Sequence, residues 1–323
     1  MVETSAKYVV ATFTASDGYH YYYRRYVPSA ERASAPRAHV VCVHGIQSHA
    51  GWYEYSCTRL SQAGYLVSFL DRRGAGLNEQ DRGDTPSYRR LIDDIAEFLT
   101  LDGGGETDAL TLPLSRSPTL PLSLPPTLPL SQSDTPSASS RLPVFLLAIS
   151  WGGKLAVALQ GQYPGHLDGL VLLCPGFFPR VGPSLGERLR IAWSRLVSPQ
   201  RLFPVPLQDA ELFTFTPRWQ QFIRDDPLSL RSATARFFAA SVFLDRALRS
   251  VPRHVHVPVL LLLAGKDRVI DNHLTRCYVD QFASDDKEII EYPQAAHTLE
   301  FEADPDPFVE DVRSWLDRHC PVS

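Results

Sequence analysis

Three side chains that together could perform nucleophilic chemistry lie far apart in the sequence, each shortly after an apolar stretch. They are Ser150, Asp267 and His297, in that chain order. A serine hydroxyl is a weak nucleophile until a neighbouring histidine accepts its proton, and a carboxylate on the far ring nitrogen keeps that histidine in the right tautomer. The order serine, acid, histidine is typical of nucleophile-elbow enzymes. We therefore predict that Ser150 attacks, His297 carries the proton and Asp267 orients the imidazole.

The residues around Ser150 predict the turn that such a nucleophile needs. Ala148 lies two residues before it and Gly152 two residues after it, where a predicted strand meets a predicted helix. This A-x-S-x-G pattern differs by one methyl group from the strained G-x-S-x-G elbow. An oxyanion formed at the serine needs two backbone donors, for which the N–H groups of Ile46 and Trp151 are the candidates. In the alternative interpretation, Ser150 is an ordinary helix N-cap.

Other residues compete for these roles. Asp271 could replace Asp267 as the acid. His254 and His256 form a His-x-His motif, but no third ligand follows, so we predict that both face solvent. The five cysteines are scattered and include no Cys-x-x-Cys pair, which disfavours zinc sites and a disulfide framework. We predict no metal and no cofactor.

The elements that must position these residues alternate between strands and helices along most of the chain. Such alternation predicts a mostly parallel central sheet flanked by helices. The predicted strands are 8–14, 20–27, 38–43, 65–70, 144–147, 168–173, 257–264 and 287–292, and the predicted helices are 52–63, 88–101, 151–162 and 307–319. Loops that leave the carboxyl ends of parallel strands share one crevice, so the three candidate side chains should meet there.

Two segments interrupt the alternation. Proline and serine dominate residues 102–141, where Thr-Leu-Pro-Leu-Ser recurs. Proline lacks a backbone N–H, so we predict an extended, disordered insert that lies at the amino-terminal edge of the sheet, away from the chemistry. Residues 177–250 combine helical patterns with many aromatic side chains, which predicts a helical lid. Residues 1–176 and 251–323 would then form the core.

Composition limits the classes of partner. A net charge of −4 argues against nucleic acid, which prefers a basic face. Apolar residues make up 44% of the chain, enough for a sizeable core, but no run of about 18 apolar residues predicts a membrane span. The first residues show no signal-peptide pattern, so we expect a cytoplasmic protein.

Further motifs make the chain resemble a known superfamily. They are His44-Gly45-Ile46 with His49 and Tyr53, Asp71-x-Arg73-Gly74-x-Gly76, and Asp226-Pro227-Leu228. With the serine elbow, they resemble the α/β-hydrolases, nearest the monoacylglycerol lipase and lysophospholipase-like branch. The resemblance implies that fold, an oxyanion segment in the first motif, a structural turn in the second and a lid motif in the third. Within the turn, we expect Asp71 and Arg73 to pair with each other.

The resemblance and the residues together predict a serine hydrolase that cleaves carboxylic esters with an apolar acyl chain, such as a monoacylglycerol or a lysophospholipid. We expect His44, Gly45, Phe177 and Phe178 to contact this small ester or lipid. The lid should touch membrane or micelle surfaces transiently. Acyl transfer to an alcohol or thiol with the same residues remains an alternative, as does a non-catalytic binding protein on this fold. The oligomeric state stays open.

Overall fold

The computed structural model describes residues 8–28, 35–102 and 141–320. Its centre is an eight-stranded sheet. The strands of the described chain are β1 (Tyr8–Thr14), β2 (His20–Tyr26), β3 (His39–Val43), β4 (Leu66–Leu70), β5 (Val144–Ile149), β6 (Gly169–Leu173), β7 (Leu202–Pro204), β8 (Ser232–Thr234), β9 (Val259–Ala264) and β10 (Lys287–Tyr292). In space the large sheet has the order β1-β2-β4-β3-β5-β6-β9-β10.

The directions of the strands fit their patterns of burial. β2 is antiparallel to both of its neighbours, whereas the strands from β4 to β10 across the sheet are parallel. Every residue of β3, β4, β5, β6 and β9 is buried, because helices cover both faces of a parallel sheet. β1 and β2 form an edge hairpin with exposed positions. The predicted fold class, a mostly parallel sheet flanked by helices, is confirmed.

Helices cover the sheet. The α-helices of the described chain are α1 (Glu54–Gln62), α2 (Tyr88–Asp102), α3 (Trp151–Gln162), α4 (Leu185–Val197), α5 (Pro217–Asp225), α6 (Ala235–Ala247), α7 (Asn272–Val279) and α8 (Asp306–His319). The predicted start at residue 52 is wrong for α1. The His49 side chain accepts a hydrogen bond from the Gly51 N–H, which caps a short 3-10 helix over Ala50–Tyr53, and the α-helix begins only after it.

Residues 177–250, called the lid segment below, lie between β6 and β9 and contain α4, α5 and α6. They also contain the two-stranded antiparallel sheet of β7 and β8, which the helical prediction omits. The lid segment packs on the core through α6, where the rings of Phe237 and Trp151 lie 5.3 Å apart. Its action as a lid stays a prediction. Among the described helices, none has both the length and the apolar character needed to cross a membrane.

The predicted insert over about 102–141 falls almost entirely outside the described residues. The described chain stops at the end of α2 and resumes at Arg141, three residues before β5. Ser150 follows the other end of β5. β5 therefore begins at the edge of the sheet opposite to the serine.

Candidate active site

The structure brings together the three side chains that the sequence places far apart. Ser150, Asp267 and His297 follow the carboxyl ends of β5, β9 and β10. Ser150 Oγ lies 2.9 Å from His297 Nε2, and His297 Nδ1 lies 2.7 Å from Asp267 Oδ2. An imidazole that carries its proton on Nδ1 donates to the carboxylate and accepts from the hydroxyl. This arrangement can take the serine proton as the oxygen attacks a carbonyl carbon.

The backbone at Ser150 has the strained geometry of an elbow. Its φ is 51° and its ψ is −123°, which a non-glycine residue rarely adopts. Ser150 occupies the N-cap position of α3, but its hydroxyl makes no capping hydrogen bond to the helix, so it is not an ordinary N-cap. A Cβ at Gly152 would lie 2.6 Å from the His44 carbonyl oxygen, so glycine is required there. Ala148 is fully buried within β5, which accommodates its extra methyl group.

Asp267 is held so that one oxygen remains for the histidine. Its Oδ1 accepts hydrogen bonds from the N–H groups of Val269 at 2.7 Å and Ile270 at 3.0 Å. The rival acid, Asp271, instead caps α7 and pairs with Arg180 at 3.2 Å. Asp271 is therefore not the carboxylate beside His297.

The two candidate oxyanion donors face the same space as the serine. Ile46 and Trp151 line one cavity with Ser150. Within the described chain, neither the Ile46 N–H nor the Trp151 N–H has a hydrogen-bond acceptor. A Cβ at Gly45 would lie 3.1 Å from Ser150 Cβ, so the small residue lets this segment approach the serine closely. Free donors beside a hydroxyl are what a developing oxyanion requires.

A buried arginine holds the peptide that carries the first of these donors. Arg72 Nη2 donates to the carbonyl oxygens of Gly45 at 2.6 Å and Ile46 at 3.0 Å. The Gly45 carbonyl and the Ile46 N–H belong to one planar trans peptide unit, so they point in opposite directions. By fixing the carbonyl on one side, Arg72 fixes the N–H on the other. The guanidinium also lies 4.9 Å from the centre of the Trp151 ring.

Arg72 keeps its charge in an unusual environment. Among the described residues, no carboxylate pairs with it, and its buried Nη1 has no hydrogen-bond partner. Burial lowers the pKa of Arg72 to about 9, still above neutrality. The amino-acid sequence does not predict this role of Arg72, because nothing in its local pattern distinguishes a buried arginine from a solvated one.

The turn around Arg72 corrects one predicted contact. Asp71 does not pair with Arg73. Asp71 accepts from the N–H groups of Ala50 at 2.7 Å and Leu77 at 2.9 Å, whereas Arg73 pairs with the buried Asp94 at 2.9 Å. The two side chains leave the turn in different directions and stabilise different parts of the structure.

Of the four residues predicted to contact substrate, Gly45 lies beside Ser150 and the other three lie elsewhere. His44 is fully buried, with its Nδ1 2.8 Å from the Gly45 carbonyl and its Nε2 accepting from the Arg72 N–H at 2.9 Å. It has no surface for a substrate, so we assign it to support of the loop. Phe177 and Phe178 pack on the Tyr278 ring, 4.8 Å and 5.9 Å away, and are not among the lining residues of the cavity.

Asp226 connects the lid segment to the turn that contains His49 and Trp52. Its Oδ2 accepts from His49 at 3.0 Å, Trp52 at 2.7 Å and Ser229 at 2.8 Å. Burial opposes the ionisation of Asp226, but the hydrogen bonds from His49 and Trp52 outweigh it and lower its pKa. The carboxylate therefore stays charged at neutral pH and holds both segments together.

A thiol lies beside the acid and the histidine. Cys174 Sγ, an Asp267 oxygen and a His297 nitrogen all lie within 4.8 Å of one another, a spacing that could suggest a metal. Burial and the charge of Asp267 raise the pKa of Cys174, which keeps the thiol protonated and unsuited to binding a cation. Both histidine nitrogens already have partners. The cluster therefore fits proton transfer better than metal binding.

Above the serine is a cavity of about 640 Å³. Its floor includes Ile46, Ser150 and Trp151, and its walls come from the lid segment, mainly α4 and α6. Most of the side chains that line the cavity are apolar. A volume of this size suits a ligand of drug or fatty-acyl dimensions.

Known proteins align with most of this chain at low sequence identity. The monoacylglycerol lipase of Mycolicibacterium smegmatis is 27% identical over 291 residues, which cover 88% of this chain and 89% of that protein. The human monoglyceride lipase is 25% identical over 290 residues, which cover 88% and 82%. A soluble variant of the Saccharomyces cerevisiae monoglyceride lipase, solved with a substrate analogue, aligns with a TM-score of 0.76 at 18% identity over 100% of both chains.

The fold, the serine elbow and these similarities define the class: the chain is an α/β-hydrolase that acts on carboxylic esters. A family model described as serine aminopeptidase, S33, matches residues 34–108 and 132–304. These matches cover more than half of the chain, which therefore belongs to that family. The unmatched stretch between them lies inside the predicted proline- and serine-rich insert.

Proposed function

We propose that this protein hydrolyses carboxylic esters of an apolar acyl chain through a covalent acyl-enzyme. Ser150 is the nucleophile, His297 the general acid and base, and Asp267 the residue that orients the imidazole. The N–H groups of Ile46 and Trp151 bind the oxyanion. The observation that carries the proposal is the unbroken chain of hydrogen bonds from Ser150 Oγ through His297 to Asp267.

The reaction runs in two halves. His297 Nε2 accepts the Ser150 proton as Oγ attacks the ester carbonyl carbon, and the carbonyl oxygen becomes an oxyanion. The imidazolium then gives that proton to the departing alcohol, which leaves the acyl group on Ser150. Water enters, loses a proton to His297 and attacks the acyl carbon. The collapse of the second oxyanion releases the carboxylic acid and restores the serine.

A fluorophosphonate probe tests the nucleophile. We expect the wild-type protein to be labelled and Ser150→Ala to remain unlabelled. Ser241→Ala is the matched control, because Ser241 lines the same cavity but donates nothing to the histidine. The proposal fails if folded wild-type protein resists the probe, or if Ser150→Ala is labelled as well as the control.

The substrate class needs its own measurement. The relatives named as monoacylglycerol lipases and the apolar walls of the cavity support an ester of a fatty acid, whereas the family description names a peptidase. p-Nitrophenyl esters and monoacylglycerols of rising chain length should be cleaved with release of free fatty acid. An aminoacyl p-nitroanilide should be cleaved far more slowly. Faster cleavage of the anilide would contradict ester specificity.

We also propose that the lid segment contacts lipid surfaces transiently. α4 exposes a group of large apolar side chains beside the cavity. They are Leu185, Leu189, Trp193, Leu196 and Val197. Clustered exposed apolar residues are typical of membrane or partner contacts. We expect binding to phosphatidylcholine vesicles to fall when Leu189 and Leu196 are both replaced by serine, as measured by co-sedimentation.

A further inference from the structure

The cavity that reaches Ser150 is lined mostly by apolar side chains, together with several exposed arginines. On α4, four residues spaced for one helix face line it: Arg188, Ile191, Ala192 and Arg195. Ile191 is buried, whereas both arginines are exposed. A separation of seven residues places the two arginines about 10 Å apart along the helix axis.

The opposite wall adds a third arginine. Arg246, on α6, lines the same cavity and is exposed. The one carboxylate among the described lining residues, Asp245, is already paired with the buried Lys154 at 2.6 Å. A fourth lining arginine, Arg180, pairs with Asp271.

Arg188, Arg195 and Arg246, called the cationic rim below, therefore have no carboxylate partner among the described residues. Arg188 donates its Nε to the Pro183 carbonyl at 2.9 Å, which leaves its terminal nitrogens available. Arg246 lies over the Phe243 ring at 5.7 Å. The chain as a whole has a net charge of −4, so this positive charge is a local feature of the cavity.

The positions of the charged and the apolar side chains imply how a bound ester is oriented in the cavity. A phosphate cannot enter the apolar part of the cavity without a large desolvation cost, so it must stay at the open end. Guanidinium groups bind phosphate oxygens in a bidentate manner and more strongly than they bind neutral hydroxyls. A glycerol headgroup offers these arginines no charge to neutralise.

We propose that the cationic rim binds the phosphate of a substrate headgroup, so that lysophospholipids are preferred over monoacylglycerols of the same acyl chain. This inference rests on the proposed ester hydrolysis at Ser150 and adds the headgroup to it. The phosphate could belong to the substrate itself or to neighbouring lipids of an anionic surface. Both sources share one chemistry, and the experiment separates them.

The first arm uses substrates dissolved as monomers. Decanoyl lysophosphatidic acid, decanoyl glycerol and p-nitrophenyl decanoate are compared below their critical micelle concentrations for wild type and for Arg188→Gln/Arg195→Gln/Arg246→Gln. Arg190→Gln is the matched control, because Arg190 is an exposed arginine of the same helix that does not line the cavity. Should the triple variant fold poorly, Arg195→Gln and Arg246→Gln are measured singly.

We expect the triple variant to lose roughly tenfold in kcat/KM on the lysophosphatidic acid, with about twofold change or less on the two neutral esters. The control should match wild type on all three. Equal losses on charged and neutral esters, or no loss on either, would overturn the headgroup assignment.

The second arm measures hydrolysis of decanoyl glycerol in neutral and in phosphatidylglycerol-containing vesicles. If the triple variant loses activity only in the anionic vesicles and not on monomeric lysophosphatidic acid, the rim recognises the surface and the substrate assignment is wrong. Fluorophosphonate labelling and p-nitrophenyl decanoate turnover report the Ser150 chemistry independently. A failure of the proposed function is thereby distinguished from a failure of the rim.

Discussion

Replacing Arg72 by methionine removes the guanidinium that holds the Gly45–Ile46 peptide, while leaving the Ser150, His297 and Asp267 side chains untouched. Two charged hydrogen bonds, at 2.6 Å and 3.0 Å, are lost from the Gly45 and Ile46 carbonyl oxygens. The peptide can then rotate, and its N–H no longer points reliably at the reacting oxygen. We expect the main loss to appear in kcat and little change in KM.

The size of the effect follows from what the donor does. Loss of one oxyanion donor lowers kcat by about 10²–10³. A peptide that is loosened but still present should cost less, so we expect kcat to fall by roughly tenfold to a hundredfold. Stability should change little, because the lost carbonyl bonds are offset by relief from burying a cation that has no carboxylate partner. The free energy of unfolding should stay within about 2 kcal/mol of wild type.

Arg73→Met is the matched control. Arg73 is also buried, but its bonds go to the carboxylates of Asp94 and Asp17 and not to the oxyanion segment. Removing it leaves the buried Asp94 with Arg90, 2.7 Å away, as its remaining charged partner, which should cost about 2 kcal/mol of stability. The folded fraction should keep its kcat.

The assay is p-nitrophenyl ester hydrolysis under saturation, combined with thermal unfolding and with the affinity for a trifluoromethyl ketone, which forms a tetrahedral oxyanion on the serine. For Arg72→Met, inhibitor affinity and kcat should fall together. An unchanged kcat in folded Arg72→Met protein would refute the reasoning, as would an equal fall of kcat in Arg73→Met.

Three further outcomes follow from the packing of the site. Burial raises the pKa of Glu300 to about 7 from 4.5, so the folded state holds its proton more tightly and stability falls as pH rises through this range. Glu300→Gln should remove about 2.5 kcal/mol of this pH dependence between pH 5 and pH 8, measured by thermal unfolding; an equal pH dependence in wild type and variant would contradict it. In Gly152→Ala, the new Cβ would lie 2.6 Å from the His44 carbonyl oxygen, so the variant should lose about 3 kcal/mol of stability. Chemical denaturation measures this loss, and a denaturation midpoint equal to that of wild type would exclude the clash. Asp226→Asn should lower the free energy of unfolding by about 2 kcal/mol and reduce esterase activity, because His49 loses its charged acceptor; unchanged protease resistance of the lid segment would count against this.

The sequence predicted the sheet well because its central strands carry a signal within each short stretch. β3 and β5 are continuous apolar runs, as a strand buried on both faces must be. Ser150, Asp267 and His297 were found for a related reason: each follows such a run, and parallel strands place their carboxyl ends at one edge. Local pattern and topology together were sufficient to predict where these side chains would meet.

Contacts between distant segments gave no such signal. Asp226 and His49 are 177 residues apart in the chain, and the Asp-Pro-Leu motif did not indicate which donors surround the carboxylate. The expected pairing of Asp71 with Arg73 was wrong because neighbours in a turn can point to opposite sides, and Arg73 found Asp94 instead. The cationic rim likewise joins α4 to α6 across a cavity that neither helix forms alone.

By itself, the amino-acid sequence determined the eight strands of the large sheet, the elbow turn and the identity of the three candidate catalytic side chains. Tertiary structure alone decided which buried charge holds the Gly45–Ile46 peptide, since Arg72 donates to carbonyl groups that come from a different strand-to-helix connection. The physical reason is that hydrophobic periodicity is a property of each segment, whereas the energy of a buried charge depends on every group that surrounds it.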